Sequence, residues 1–266
     1  MIGGPNPGTY LLTNIYTANN QLIADSLTRI ASGKRIQRPS DDFAGFARAS
    51  SLQSDITAYE SIKQNIEEVK GFAVYAAEVG NDLVEDFDRL KELQVLYTGA
   101  AGDSVKQATY KAEYDATILR IADLIDDAYF DDVQVYRAGV SLKSVEVNPE
   151  NSSLVINVQA SAVGDETSIN DITTVTANAI QNELENAQVY VMEMESFSTM
   201  LQRQLNLTDT IISSKESTIS AITDIDEIEE LSALTMLQVR QEATISMLAQ
   251  ANIIQGYAAQ LYGGST

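Results

Sequence analysis

The residues best placed to do chemistry lie between Ser26 and Gly45, in the run SLTRIASGKRIQRPSDDFAG. Four cations, Arg29, Lys34, Arg35 and Arg38, surround one glycine, and Asp41 and Asp42 follow. A lysine after a glycine can hold a phosphate. A phosphate loop, however, needs a glycine five residues before Gly33 and Ser or Thr after Lys34, and Thr28 and Arg35 stand there instead. A nucleic-acid surface needs a broader basic field with stacking aromatics. The chain instead carries 38 acidic against 17 basic residues, a formal charge of −21, and a polyanion would be repelled. Asp126–Asp127 and Asp131–Asp132 offer oxygen ligands but lack the spaced acid–glycine–glutamate order of a calcium loop. Histidine and cysteine are absent, which removes imidazole acid–base chemistry, thiolate metal sites and disulfides. No catalytic residue, cofactor or metal is expected, and the chain reads as a structural protein.

The order of signs, base then acid, has a structural cause. Gly33 can take the left-handed conformation that ends a helix. Lys34 and Arg35 then sit at that helix's negative end, and Asp41 and Asp42 at the positive start of the next, with Ser40 as N-cap and Pro39 between. The number of cations is not explained this way. In a polymer of acidic subunits they would meet a neighbour's carboxylates.

The elements around this break are long. Apolar residues from Leu52 through Ile56, Tyr59, Ile62 and Ile66 to Phe87 and Leu90 recur at steps of three and four, a heptad-like stripe. It predicts one helix from Asp41 to Tyr97, roughly 80 Å long at 1.5 Å per residue. Gly99, Gly102 and Asp103 punctuate it. A second helix follows with Val105, Ile118, Ile121, Leu124 and Ile125 as core, ending near Ala128. Alternating valines and an Asn148–Pro149–Glu150–Asn151 turn predict a small β-hairpin region from Asp131 to Ala160, then a polar connection. Ile180 to Ile222 carries the cleanest heptad stripe, a helix of about 70 Å that returns antiparallel to the first. Met192, Met194 and Met200 need no cofactor to explain them.

Both ends are amphipathic: Tyr16, Ile23, Leu27 and Ile30 at the front, Met247, Ala251, Ile254, Ala258 and Leu261 at the back. The acidic run Asp224 to Glu230 suits the start of the last helix. Ala243–Thr266 carries no charge, yet Gln250, Asn252, Gln255 and Gln260 interrupt it, so no membrane span is expected. The opening MIGGPNPGTY lacks the basic and apolar regions of a secretory signal. Two terminal helices alone cannot bury both stripes and their flanks, so copies of the same chain are the expected partner.

The fold class is therefore mainly α: a long antiparallel helical rod or coiled-coil bundle with a small β-hairpin region and paired terminal helices. The expected divisions are 1–40, an N-terminal core helix; 41–130, the N-terminal rod helices; 131–175, the hairpin region and connection; 176–225, the C-terminal rod helix; and 226–266, a C-terminal core helix.

The order of these motifs resembles that of bacterial flagellin. Ser26–Ile36 is similar to the family's SLxRLSSGxRI, and Asp41–Gly45 to DDAAGLA. Arg89–Leu93 resembles RxREL, Phe130–Val133 stands where FNG usually stands, and Met247–Asn252 matches MLAQAN. The resemblance implies an extracellular filament subunit, exported unfolded without a cleaved signal, its terminal helices lining an inner tube and its rod an outer one. Implied partners are itself as a homopolymer, the export apparatus, a chaperone, and cap and junction proteins. Implied subunit-interface residues are Leu22, Ile23, Leu27, Arg29, Ile30, Lys34, Arg35, Arg38, Met247, Leu248, Ala251, Ile254, Ala258 and Leu261. The family's immune-receptor epitope maps onto Arg89, Leu93 and Glu113. Only about 50 residues separate the two rod helices, so the large outer domains of many flagellins are missing. A hook–filament junction protein shares the helical plan; the MLAQAN run favours the filament subunit.

Overall fold

The computed structural model describes residues 7–136, 141–149, 155–160, 164 and 166–263. The elements are α1 (Pro7–Ser32), α2 (Phe43–Gly99), α3 (Ser104–Asp127), β1 (Tyr129–Phe130), β2 (Val133–Gln134), β3 (Ser141–Glu146), β4 (Val155–Gln159), α4 (Ala177–Thr223) and α5 (Glu227–Gly263). The strands form two separate antiparallel hairpins, β1–β2 and β3–β4. The chain folds as two compact units. A terminal unit joins Met1–Gln53 to Lys215–Thr266, and a central unit spans Ser54–Ser214.

In the central unit α2 and α4 run antiparallel in constant register. Lys63 Nζ donates to Asp209 Oδ1 at 2.7 Å, Lys70 Nζ to Gln202 Oε1 at 2.5 Å, and Lys91 Nζ to Gln181 Oε1 at 2.5 Å. From the first contact to the last, each helix advances four heptads, the periodicity of a coiled coil. The predicted stripe is the core: Ile66, Ala73, Ala76, Leu83, Phe87 and Leu90 are fully buried, as are Ile180, Ala187, Met194 and Leu201 from α4. Leu52, at the stripe's start, is half-buried. Gly80 sits where the two helices pack tightly, with Val191 and Tyr190 against it.

Helix α3 folds back on α2, with Ile121 buried, Arg89 paired to Glu113 and the buried Asp86 paired to Arg120. Its buried spacing runs through Tyr114, Thr117, Ile118 and Ile121. Val105 is out of phase with that spacing and 75% exposed, which corrects its expected place in the core. Asp103 caps the helix by accepting from Lys106 N at 3.2 Å.

The hairpin region begins two residues earlier than expected, at Tyr129. Asp131 and Asp132 take φ of 51° and 62° in the two-residue turn between β1 and β2, the backbone a type I′ turn demands. Phe130 packs edge-on to Phe72 at 5.7 Å. Lys143 in β3 donates to Glu68 at 2.8 Å and Asp131 at 3.3 Å. Of the expected turn after β3, Glu150 and Asn151 lie outside the described residues.

The connection expected to be polar is anchored. Ile169 and Ile172 are buried, and three tyrosines hold its backbone and the strand region before it. Tyr114 donates to Ile169 O at 2.5 Å, Tyr190 donates to Val135 O at 2.6 Å, and Tyr136 Oη accepts from Gly164 N at 2.6 Å. Burial pushes the Tyr114 and Tyr190 hydroxyls up, keeping them neutral donors.

Candidate functional site: the paired terminal helices

The terminal unit is built around two helix breaks that face each other. Gly33 ends α1 with φ of 69°, the left-handed stop expected of it. Arg35 N and Ile36 N both donate to Thr223 O, at 2.6 and 3.3 Å, and Ile225 N donates to Gly33 O at 3.1 Å. Lys34 and Asp224 thereby form an antiparallel bridge. Arg35 Nη2 donates to Ile222 O at 2.8 Å. The guanidinium thus satisfies a carbonyl at the C-terminus of α4, where a cation also meets the negative end of the helix dipole.

The acids after the break divide their work differently from the expectation. Helix α2 begins at Phe43, and Asp42 Oδ1 accepts from Gly45 N at 3.0 Å. The N-cap is therefore Asp42, not Ser40. Asp41 Oδ2 accepts from Gln37 N at 3.0 Å and Arg38 N at 2.9 Å. Those two N–H groups hold the Asp41 carboxyl below its usual range. Across the clasp, Asp226 Oδ1 accepts from Ile228 N at 3.0 Å and Glu229 N at 3.2 Å, opening α5 with Glu227, Glu229 and Glu230 in its first turn. A polar recess of about 510 Å³ lies beside the clasp, lined by Asp25, Arg29, Arg35, Arg38, Asp41 and Glu230 among others.

Helices α1 and α5 pair antiparallel. Asn19 Nδ2 donates to Leu237 O at 2.8 Å, and Ser26 Oγ donates to Glu230 Oε1 at 2.6 Å. One heptad forward on α1 is one heptad back on α5. Gln241 Nε2 donates to Asn20 Oδ1. Arg29 sends Nε and Nη2 to the same Glu230 oxygen that Ser26 uses, at 3.0 and 2.8 Å. These bonds hold the Glu230 carboxyl below its ordinary value, Arg29 contributing most and Ser26 next.

The pair is inverted relative to an ordinary amphipathic pair. Among the described residues of the two helices, the buried ones are Asn19, Ser26 and Thr244, with Leu234 the lone apolar member. Large apolar side chains lie outside: Tyr10, Leu11, Ile15, Leu22 and Leu27 on α1, and Ile228, Leu231, Met236, Val239, Ile245, Met247, Ile253, Ile254 and Tyr257 on α5.

Of the expected interface residues, Leu22, Leu27, Met247 and Ile254 belong to that uncovered surface. Ile23, Ile30, Leu248 and Ala251 are half-buried along the seam. Arg29 is engaged within the chain by Glu230, Arg35 by Ile222 O, and Arg38 lies 3.8 Å from Asp25. Lys34 is exposed beside its backbone bridge. The side chains of Ala258 and Leu261 fall outside the described residues. In the central unit Arg89 donates to Glu113 at 3.0 and 2.5 Å and pairs with Glu92, while Leu93 is fully buried. Only the charged pair of that set reaches the surface.

Asn19, Asn20 and Gln241 were not singled out from the sequence, and Ser26 and Glu230 were read only as the ends of longer runs. The signal was there: Asn19 and Ser26 fall on the 3–4 spacing of Tyr16, Ile23 and Ile30. Among the described residues no helix is long and apolar enough to cross a membrane, and no group of three or more His, Cys, Asp or Glu is placed to hold a metal ion.

Residues 9–137 match the family model described as the bacterial flagellin N-terminal helical region. The chain is similar to a flagellin of Halalkalibacterium halodurans, 23% identical over 85% of this chain and 87% of that one. It is also similar to two flagellins of Caulobacter vibrioides: FljO, 20% identical over 91% and 90%, and FljM, 19% identical over 93% of both chains.

Proposed function

We infer that this chain belongs to the bacterial flagellins and is a structural subunit that assembles with copies of itself into a flagellar filament for swimming. The inverted terminal pair carries the reading. Fourteen large apolar side chains among the described residues, each 41–84% exposed, line the outside of α1 and α5. Covering them completely is worth on the order of 30 kcal/mol at about 25 cal/mol per Å² before the cost of association. A second copy presents the same surface, and a helical array lets every copy cover its neighbours.

On this reading residues 1–40 and 226–266 form the filament core, and 41–130 with 176–225 form the rod. Leu22, Leu27, Met247 and Ile254 meet neighbouring copies directly. Of the four cations, Lys34 is the one left to face a neighbour's carboxylates, since Arg29, Arg35 and Arg38 have partners within the chain. The subunit is exported through the flagellar channel, handled by a chaperone and placed beneath a cap, and it ends outside the cell. A receptor approaching the rod would meet Arg89 and Glu113 rather than Leu93. The long match to filament subunits, together with the MLAQAN run, favours this reading over a hook–filament junction protein.

Seeded polymerisation tests it. Full-length chain added to filament fragments should give long tubes by electron microscopy, and a chain lacking Leu231–Thr266 should stay in the supernatant after sedimentation. Short caps in place of tubes would favour the junction protein. Tubes of unchanged length from the truncated chain would refute the role of α5.

A further inference from the structure

We propose that Asn19 is the register-determining residue of the α1–α5 pair, with the Asn20–Gln241 contact as its support. The seam is a heptad seam: Tyr16, Asn19, Ile23, Ser26 and Ile30 on α1 face Glu230, Leu234, Leu237, Gln241 and Thr244 on α5, all buried or half-buried. A seam of this kind can slide in seven-residue steps, and half-buried apolar side chains discriminate weakly between the steps. Polar contacts discriminate strongly, because each wrong register leaves a buried group without its partner.

Asn19 meets that description. It is 3% exposed, and its amide nitrogen donates to Leu237 O at 2.8 Å. Among the described residues its Oδ1 has no hydrogen-bond partner. A leucine would pack there without that penalty, so the asparagine is costly for stability. A buried asparagine at one heptad position trades stability for a unique alignment. The neighbouring Asn20 takes a second bond from Gln241, one turn beyond Leu237 on α5. One turn of α1 thus grips one turn of α5. The clasp at Gly33 and Asp224 ties the pair at one end only, about two turns beyond Ser26.

The inference goes beyond the assembly reading. Its consequence for filaments rests on that reading: a slipped pair would present its apolar flanks out of step to the next copy.

The chain has no cysteine, so spin labels can be placed cleanly. Leu27→Cys and Ile245→Cys, both exposed positions, are labelled in the full-length chain, and their separation is measured by pulsed electron resonance. The parent should give one narrow distance. Asn19→Leu should add a second population shifted by about 10 Å, one heptad at 1.5 Å per residue, while melting at a higher temperature. Asn19→Ala, which removes the amide without adding bulk, should show the same second population. If both variants keep the parent's single distance, the clasp and the contacts of Ser26 and Arg29 with Glu230 set the register without Asn19, and the proposal is overturned. A parent distribution already spread across both distances overturns it as well. Sedimentation of unlabelled chains reports assembly separately, so a register result does not depend on whether filaments form.

Discussion

Glu230→Gln should weaken assembly without touching any surface a neighbour would contact. One carboxylate oxygen receives three donors, Ser26 Oγ and two nitrogens of Arg29, within 2.6–3.0 Å. The side chains of Arg29 and Glu230 are 34% and 16% exposed. Hydrogen bonds to a charged group contribute about 1.5–3 kcal/mol each. Arg29, a third exposed, recovers part of its share from water. The amide keeps one acceptor but loses the charge, and with it an interaction with the α5 dipole of about 0.3–1 kcal/mol. The net cost is about 2 kcal/mol, roughly 30-fold in the docking equilibrium of α1 on α5. If only the docked pair enters the filament, the critical concentration rises by up to the same factor. It is read from the monomer left in the supernatant after seeded growth, with amide exchange along α1 and α5 reporting the docking equilibrium independently. A variant whose docked fraction falls, as read by amide exchange, while its critical concentration stays at the parent value would refute the reasoning: docking would then not limit growth.

Two other expectations are more local. Arg29 and Ser26 hold the Glu230 carboxyl below its ordinary 4.5, and backbone N–H groups hold Asp41 below 3.8. Their contribution is present above those ordinary values and is lost as pH falls through the lower folded ones. The terminal pair should therefore loosen below about pH 4, seen as lost helicity, and Glu230→Gln should flatten that response. In the central unit, a Cβ at Gly80 would lie 2.7 Å from Val191 Cγ2 and 2.9 Å from Tyr190 Cδ1. Tyr190 cannot yield easily, since it donates to Val135 O and packs on Tyr136 at 4.6 Å. Overpacking of about 1–3 kcal/mol outweighs a helix-propensity gain of about 1 kcal/mol, so Gly80→Ala should lower the midpoint of chemical denaturation. Adding Val191→Ala should recover part of it, and full independence of the two changes would count against the close contact.

How much of this was legible in the sequence depends on the distance between partners. The stripes of α2 and α4 were readable because a heptad repeats locally, and the stop at Gly33 because one residue decides it. The N-cap was misassigned because Ser40, Asp41 and Asp42 are all competent acceptors; only the start of α2 at Phe43 selects Asp42. The tyrosine anchors were not readable. Tyr114 and Tyr190 each reach a carbonyl 55 residues away, and no spacing rule encodes such a contact. The terminal seam was half readable. Tyr16, Ile23 and Ile30 marked the right stripe, but hydrophobicity put Leu27 on it, where the structure puts Ser26.

The terminal pair and the central unit answer different requirements. Between residues 54 and 214 the sequence has ten Lys and Arg against 28 Asp and Glu; outside that span it has seven against ten. The central unit fills its interior with its own apolar stripes, so its surface is free to be strongly anionic. Copies of such a unit repel one another, by an amount that falls as salt shortens the screening length from about 30 Å at 0.01 M to about 8 Å at 0.15 M. Cohesion between copies must then come from the part of the chain where charge is nearly balanced and apolar side chains stay uncovered. That part is the α1–α5 pair. Its seam is held by directional bonds from Asn19, Ser26 and Arg29, which leaves its apolar side chains for contacts outside the molecule. A conventional pair, with leucines inside and asparagines outside, would be more stable alone and would have little left with which to hold a neighbour.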